Sequence, residues 1–300
     1  MTADTAAPLP IVIGTRRRPF RWRGSMLLLL VPGAGYIALA MAAPLAQLAL
    51  GSLGLAGPAG RAAPSLAAFR AVLADPMMRD AFLFSLRIAL VTTLLSLAAA
   101  AGLAMLLLFD FPGRRPVILL AKVPLVVPSL IAAFLVLTMI GPGGIFARLV
   151  AHVGLPWPPL VHDRAGLGII LVLKWHQVPV TLLIVVAVIG SIPRDLIDAA
   201  RNLGAGSLAV FLRVILPLAV PGVSAAAALV FIDTFGAYAV PSLLGPAYPQ
   251  ALPVTMTTEF LERAHWEVAS AIGVIMAATT LLVMALYYRL LAGIDRALAA

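Results

Sequence analysis

An all-α, polytopic membrane protein with six transmembrane helices is the fold that this sequence predicts. The chain of 300 residues is 62% hydrophobic and only 11% charged, whereas a soluble domain is about 45–50% apolar and about 25% charged. Its apolar residues form six long runs, and a bilayer crossing needs about 20 residues. The chain has no cysteine, which excludes disulfides and thiolate metal or redox sites.

The first half of the chain supplies three of these spans, expected over residues 26–50, 82–108 and 117–139. The first run is longer than the apolar core of a secretory signal, so it is expected to remain as an uncleaved helix. Between the first two spans, residues 65–73 have the apolar spacing of a short helix at the membrane surface. Pro124 and Pro128 are expected to kink the third span.

The second half supplies the remaining spans, expected over residues 167–189, 218–244 and 268–291. Residues 141–166 and 245–265 connect spans on one side of the membrane. On the other side, the stretch from residue 191 to 217 is polar and 27 residues long. Because a turn needs only a few residues, this length and its helical pattern indicate a contact surface for another protein.

Basic residues predict the orientation of the chain. The side that carries both termini and the 191–217 stretch holds 12 of the 21 lysines and arginines, the opposite side holds six, and three lie within spans. The positive-inside rule therefore predicts that both termini and the polar stretch are cytoplasmic. These basic residues lie mainly at the ends of apolar runs, which favours a role in membrane orientation over nucleic-acid binding.

The polar stretch contains a spaced motif. It reads Asp198-Ala199-Ala200, three residues, Gly204, nine residues, and then Val214-x-Leu216-Pro217. This resembles the Glu-Ala-Ala signature of integral membrane permeases of binding-protein-dependent ABC importers, which runs Glu-Ala-Ala, three residues, Gly, nine residues and Ile-x-Leu-Pro. Asp198 stands for the glutamate and Val214 for the isoleucine, and both replacements keep the charge or the shape.

The resemblance covers residues 80–291, which it implies are the core of a transmembrane domain over residues 26–291, flanked by cytoplasmic tails 1–25 and 292–300. Residues 85–89 are similar to the start of that core, and residues 141–145 look like its Gly-rich connector. Residues 235–245 look like a segment of spermidine/putrescine-type permeases. The resemblance thus implies a multi-pass protein of the bacterial inner membrane that imports a polyamine or a similar small solute.

In that family the motif forms a coupling helix that docks in a cleft of the ATPase, which implies this role for six residues: Asp198, Ala199, Ala200, Gly204, Leu216 and Pro217. Helical spacing places Leu196, Ala199 or Ala200, and Leu203 on one apolar stripe. Ala200 and Gly204 are four residues apart and should let another helix approach closely. Pro217 should end the helix. The alternative is an interfacial helix that packs only on its own bundle.

The chain lacks the G-x-x-x-x-G-K-[ST] phosphate loop, so the ATPase should be a separate polypeptide and this chain should not be an enzyme. No metal-ligand spacing or cofactor motif is present. The resemblance implies three kinds of protein partner: a cytoplasmic ABC ATPase dimer, a second permease subunit (identical or paralogous) and an extracytoplasmic solute-binding protein.

Four charged residues lie within spans, where each costs about 2.5–3.5 kcal/mol near the centre. Arg87 and Lys122 are near helix ends and should extend to the nearer surface. Lys174 and Asp233 lie roughly 10 Å and 15 Å below the outer ends of their spans, which predicts an ion pair between them. The functional alternative is that Asp233, with Phe235 and Tyr238, lines the pathway and meets a cationic solute.

A secondary transporter or channel without an ATPase is the alternative function. It predicts an inverted repeat with paired broken helices near the midplane. The two halves of this sequence do not mirror each other, and the polar cytoplasmic stretch has no role in that class.

Overall fold

The computed structural model describes residues 24–56, 63–107 and 111–299, and side chains over 31–56, 63–107 and 111–289. Apart from residues 24 and 25, the predicted tail 1–25 lies outside the described residues, as do the side chains of the predicted tail 292–300. The chain divides into a unit up to residue 46 and a unit from residue 47 onward. Helix α1 (Gly24–Ser52) contributes most of its length to the first unit.

The second unit contains the other helices. In the first half of the chain they are α2 (Ala67–Ala74), α3 (Pro76–Leu106), α4 (Arg114–Lys122), α5 (Ser129–Ile140) and α6 (Ile145–Ala151). In the second half they are α7 (Leu167–Gly190), α8 (Arg194–Asn202), α9 (Ser207–Val210), α10 (Leu216–Phe235), α11 (Ala239–Leu244), α12 (Leu252–Thr257) and α13 (Trp266–Ala299). The predicted surface helix at 65–73 corresponds to α2.

The prediction of six spans is confirmed. By length and hydropathy, the candidate spans among the described residues are 31–52, 76–106, 129–151, 167–190, 207–235 and 266–289. Helix α3 begins six residues before the predicted span because Asp75 caps it. The Asp75 carboxylate accepts a 2.8 Å hydrogen bond from the Met77 N–H, and Pro76 occupies the first helical position, where a missing N–H is harmless.

Helices α3, α7 and α10 pack against one another at the centre of the second unit. Gly222 of α10 lies where a Cβ atom would be 2.1 Å from Cγ2 of Val188 on α7. Small residues allow such close approach of membrane helices, whose association depends on packing rather than on a hydrophobic driving force. The absence of a side chain at residue 222 therefore sets the separation of α7 and α10 near one end of the bundle.

The predicted third span is wrong as a single kinked helix. Helix α4 ends at Lys122, a 3-10 turn follows over Val123–Leu125, and α5 begins only after Pro128. Pro128 has φ −57° and ψ 141°, which is outside the helical region. Val123, which precedes Pro124, remains helical with φ −52° and ψ −44°, so the change out of helical geometry occurs at Pro128.

The predicted fifth span also has different limits. Helix α9, a π-helical turn over Phe211–Ile215 and α10 form one continuous helical segment from residue 207 to 235. The chain then leaves the helix at residues 236–238 and forms the separate helix α11. The span is thus shifted towards the N-terminus relative to the predicted 218–244.

Side-chain hydrogen bonds fasten the connectors to the bundle at the end opposite α8. The Ser85 hydroxyl of α3 accepts a 2.7 Å bond from the Leu252 N–H. The guanidinium of Arg87 donates a 2.7 Å bond to the Arg164 carbonyl and lies 5.4 Å from the centre of the Phe84 ring. Arg87 therefore reaches the connector between α6 and α7, as predicted.

We expect Gly222→Ala to destabilise the protein by about 1–3 kcal/mol, because the added methyl group overpacks the contact with Val188. A thermal unfolding curve of the purified protein in detergent measures the effect. Gly102→Ala on α3 is the matched control, since a Cβ at that position meets no atom within 4 Å. The double variant Val188→Ala/Gly222→Ala should recover most of the lost stability. Equal melting temperatures for Gly222→Ala and Gly102→Ala would contradict the contact.

Candidate functional site

Helix α8 lies between two central helices, α7 and α10, at one end of the bundle. It begins directly after Pro193, which has φ −56° and ψ 128° and is not helical. Asp195 lies in its first turn and Arg201 in its last. Both charges are favourable, because the N-terminus of a helix carries partial positive charge and the C-terminus partial negative charge.

One face of α8 packs on the bundle. Ile197 and Ala200 contact a buried apolar cluster formed by Ile192, Val210, Phe211 and Ile215. Ala101 and Met105 of α3 and Ile189 of α7 pack against the same cluster. This face therefore ties α8 to the ends of all three central helices.

An adjacent face is exposed, and we call it the outer face of α8: Leu196, Ala199 and Leu203. Leu196 is 46% exposed and Leu203 is 89% exposed, and Ala199 is exposed between them. Asp198 is exposed beside this face. The sequence left open whether Ala199 or Ala200 belongs to the stripe. Ala199 is exposed, whereas Ala200 is half-buried against the cluster, and the docking role of Ala200 stays a prediction.

Gly204 ends α8, and its predicted role in the close approach of another helix stays a prediction. Its φ is +85°, and a Cβ there would meet no atom within 4 Å. The Gly204 N–H bonds to the Arg201 carbonyl at 2.9 Å and the Ala205 N–H to the Ala200 carbonyl at 3.1 Å. This is the Schellman pattern, which requires a left-handed residue at the position that Gly204 occupies.

Leu216 and Pro217 belong to the span, and the predicted helix end at Pro217 is wrong. Pro217 is the second residue of α10 and continues the helical segment that begins at Ser207. A proline ring normally clashes with the carbonyl four residues earlier, here that of Arg213. The π-helical turn widens the chain at that point, and the Leu216 N–H bonds to the Phe211 carbonyl, five residues back.

At the other end of α10, Asp233 is hydrogen bonded to Gln177 of α7. The buried Gln177 side-chain amide donates to the exposed Asp233 carboxylate. Among the residues whose side chains are described, no cation lies within 4.0 Å of Asp233, so the predicted ion pair with Lys174 is wrong. Asp233 lies two residues before the end of α10, and its partner Gln177 lies about 15 Å along α7 from Leu167.

The two aromatic residues predicted to line a pathway lie in different environments. Phe235 is 1% exposed, stacks on Phe231 with 5.6 Å between ring centres and meets Phe82 edge-on at 6.1 Å. It therefore belongs to the core, and its predicted place on a solute pathway is wrong. Tyr238 is exposed in the break between α10 and α11.

The sequence did not predict two residues that contribute to these sites, Gln177 and Ile197. Gln177 is an uncharged polar residue inside a span, three residues after Lys174, and its position on a polar turn of α7 was the available signal. Ile197 is one position away from the stripe of leucines and alanines. Nothing in the motif distinguishes the residue that anchors α8 from the residues that remain exposed.

Comparison with known proteins gives a family and several relatives. The family described as "Binding-protein-dependent transport system inner membrane component" matches residues 93–299. The spermidine/putrescine transport system permease protein PotB of Haemophilus influenzae is 28% identical over 218 residues, which cover 72% of this chain and 76% of PotB. A probable molybdenum ABC transporter permease protein of Haloferax volcanii is 29% identical over 276 residues, covering 91% of this chain and 93% of the relative.

A solved structure has the same fold. It is a bacterial alginate ABC transporter in complex with an alginate pentasaccharide-bound periplasmic protein, and it superposes with a TM-score of 0.76. The match covers 88% of this chain and 92% of the solved chain at 17% identity. At this identity the likeness concerns the fold alone.

We expect Gly204→Ala to destabilise the end of α8 by about 1–2 kcal/mol, because an L-residue with a Cβ is strained in the left-handed region. Hydrogen–deuterium exchange of the peptides over residues 194–206 should become faster. Gly206→Ala is the control, since Gly206 has φ −68° and open space around it. Equal exchange in the two variants would show that the Schellman turn does not hold the helix end.

Proposed function

This chain belongs to the family of binding-protein-dependent transport system inner membrane components, and we propose that the outer face of α8 is where a separate cytoplasmic ATPase docks. The chain is a permease subunit of an ABC importer and spans the inner membrane several times. Family membership favours this function over a secondary transporter or channel that works without an ATPase.

The exposure of Leu203 is the observation that carries the docking proposal. A leucine that is 89% exposed at the end of a polar helix presents apolar surface outside the spans, and burying such a side chain contributes about 1.5–3 kcal/mol. Leu196 and Ala199 extend this surface along one face of α8. The motif that resembles the family's signature, from Asp198 to Pro217, includes the second half of this helix and the turn that ends it.

The inward face of α8 supports a role in transmitting motion. Because Ile197 and Ala200 pack on a cluster shared with α3, α7 and the π-helical turn, a displacement of α8 acts on all three central helices. Leu216 and Pro217 contribute on the bundle side, where they continue the segment into α10. ATP-driven movement of the docked subunit would thereby switch the pathway between inward- and outward-facing forms.

The rest of the proposed assembly follows from the family. Two ATPase subunits dock on two permease subunits, identical or paralogous, and an extracytoplasmic binding protein delivers solute to the connectors at the opposite end. The permease domain extends over residues 26–291, with its core over residues 80–291. The excess of basic residues on the α8 side supports a cytoplasmic location for α8 and for the tails 1–25 and 292–300.

The proposed solute is a polyamine or a similar small cation. The exposed Asp233 carboxylate, oriented by the Gln177 amide, supplies a negative charge at the end where solute is delivered. The exposed Tyr238 ring is close in sequence, and aromatic faces attract ammonium groups. Similarity to the spermidine/putrescine permease PotB supports the same class of solute.

For docking, we expect Leu203→Ala to weaken binding of the ATPase about tenfold or more, because a leucine contributes about 1.5–3 kcal/mol when buried. The measurement is the affinity between the permease, isolated in detergent, and the P-loop ATPase that copurifies with the parent chain from its host.

Leu208→Ala is the control, since Leu208 is also an exposed leucine, at 55%, but belongs to α9 and lies outside the outer face of α8. Leu203→Met should retain binding because it keeps the apolar volume. The docking proposal fails if the Ala variants at 203 and 208 bind the ATPase equally well.

For solute recognition, we expect Asp233→Asn to raise the spermidine concentration for half-maximal import about tenfold, because the variant loses a charged partner for an ammonium group. Import into vesicles that contain the whole transporter and its binding protein provides the measurement. Lys174→Met is the comparison and should import normally, since Lys174 does not contact Asp233. Normal import by both variants, each fully assembled, would remove Asp233 from the solute pathway.

A further inference from the structure

We propose that a basic cavity at the α8 end of the bundle binds the phosphate-bearing headgroup of an anionic membrane phospholipid. The cavity has a volume of about 530 Å³ and is lined by residues of α3, α4, α7 and the first residue of α8. Its volume is within the range of about 300–1,000 Å³ that is usual for small-molecule sites. None of the residues that form the outer face of α8 lines it, so the site is separate from the docking surface.

Three cations surround the cavity, and they come from three places in the chain: Arg114 starts α4, Lys122 ends α4 and Arg194 starts α8. Among the described residues that line the cavity, none is acidic. The Arg114 guanidinium donates a 3.1 Å hydrogen bond to the carbonyl of Leu107, which itself lines the cavity and so fixes the arginine at the rim. This combination of charges is complementary to a phosphodiester.

The remaining wall is apolar and belongs mainly to the last three turns of α7. It consists of Leu107, Ile118, Leu182, Leu183, Val186 and Ile189, with small residues between them. Leu183 and Val186 are also 48% and 42% exposed, so the apolar wall continues onto the outer surface of the bundle. An acyl chain attached to a bound headgroup has an apolar path out of the cavity along these side chains.

The position along the spans favours a lipid over a soluble anion. Arg114 and Arg194 lie at helix ends beside the turns that connect the spans, at the level where headgroups lie. Lys122 is eight residues further along α4, about 12 Å by helical rise, so its long side chain reaches the headgroup from the acyl side. A free phosphate would use the cations and leave the apolar wall without a role.

The test uses the assembled transporter, with its partner subunits, in nanodiscs that contain a photoactivatable phosphatidylglycerol. After irradiation, we expect the lipid on peptides from α4 and from the end of α7. Each cation contributes about a fivefold gain in affinity for an anionic surface. Lys122→Met and Arg194→Gln should therefore each lower labelling about fivefold, whereas Lys122→Arg should retain it.

Arg213→Gln is the matched control, because Arg213 is exposed in the π-helical turn at the same end of the molecule and does not line the cavity. Equal labelling by a zwitterionic phosphatidylcholine analogue would overturn the proposal, since the cations would then be irrelevant. Loss of the label on addition of inorganic phosphate would identify a soluble anion as the ligand instead. Absence of label from the assembled transporter would likewise overturn the proposal.

Discussion

The apolar contact between α8 and the ends of the central helices is the interaction on which the functional part of this structure depends. Ile197 and Ala200 enter one cluster with residues of α3, α7 and the π-helical turn. With this contact in place, the other face of α8 must point away from the bundle, and its charged ends remain in solvent. Without it, α8 would be a nine-residue helix, which is too short to be stable alone in water.

Two residues of the motif, Gly204 and Pro217, determine the path of the chain around this contact. Gly204 stops α8 after its second turn, so that the chain can reverse into α9 and bring Val210 and Phe211 back onto the cluster. Pro217 is accommodated because the wider π-helical turn precedes it. Both residues determine the course of the chain around α8, whereas the exposed leucines provide the surface for contact.

Hydropathy alone was sufficient for the number and order of the spans, because a bilayer crossing requires a long apolar run. The breaks at 123–128 and 236–238 were not predictable in the same way. Whether a proline kinks a membrane helix or ends it depends on which neighbours satisfy the freed backbone groups. Likewise, Ala199 and Ala200 differ by one residue, about 100° around a helix, and the motif alone did not decide between them.

The pairing of Asp233 illustrates a second limit. Sequence position gave the approximate depth of Asp233 and Lys174, and a long lysine side chain made an ion pair plausible on distance alone. Lys174 and Gln177 are three residues apart on one face of α7, so the contact that forms depends on how far along α7 the Asp233 carboxylate lies. It lies at the level of Gln177, and this axial offset between α7 and α10 is a property of the packed helices that neither segment contains by itself.

The π-helical turn has a consequence for the register between the cytoplasmic region and the membrane span. It holds one residue more than an α-helical turn in the same segment, so the faces of α9 and α10 are out of phase by about 100°. The residues before the turn can therefore face α8 while those after it face α3 and α7. One additional residue in the π-helical turn thus allows a single helical segment to pack against two sets of helices that lie in different directions.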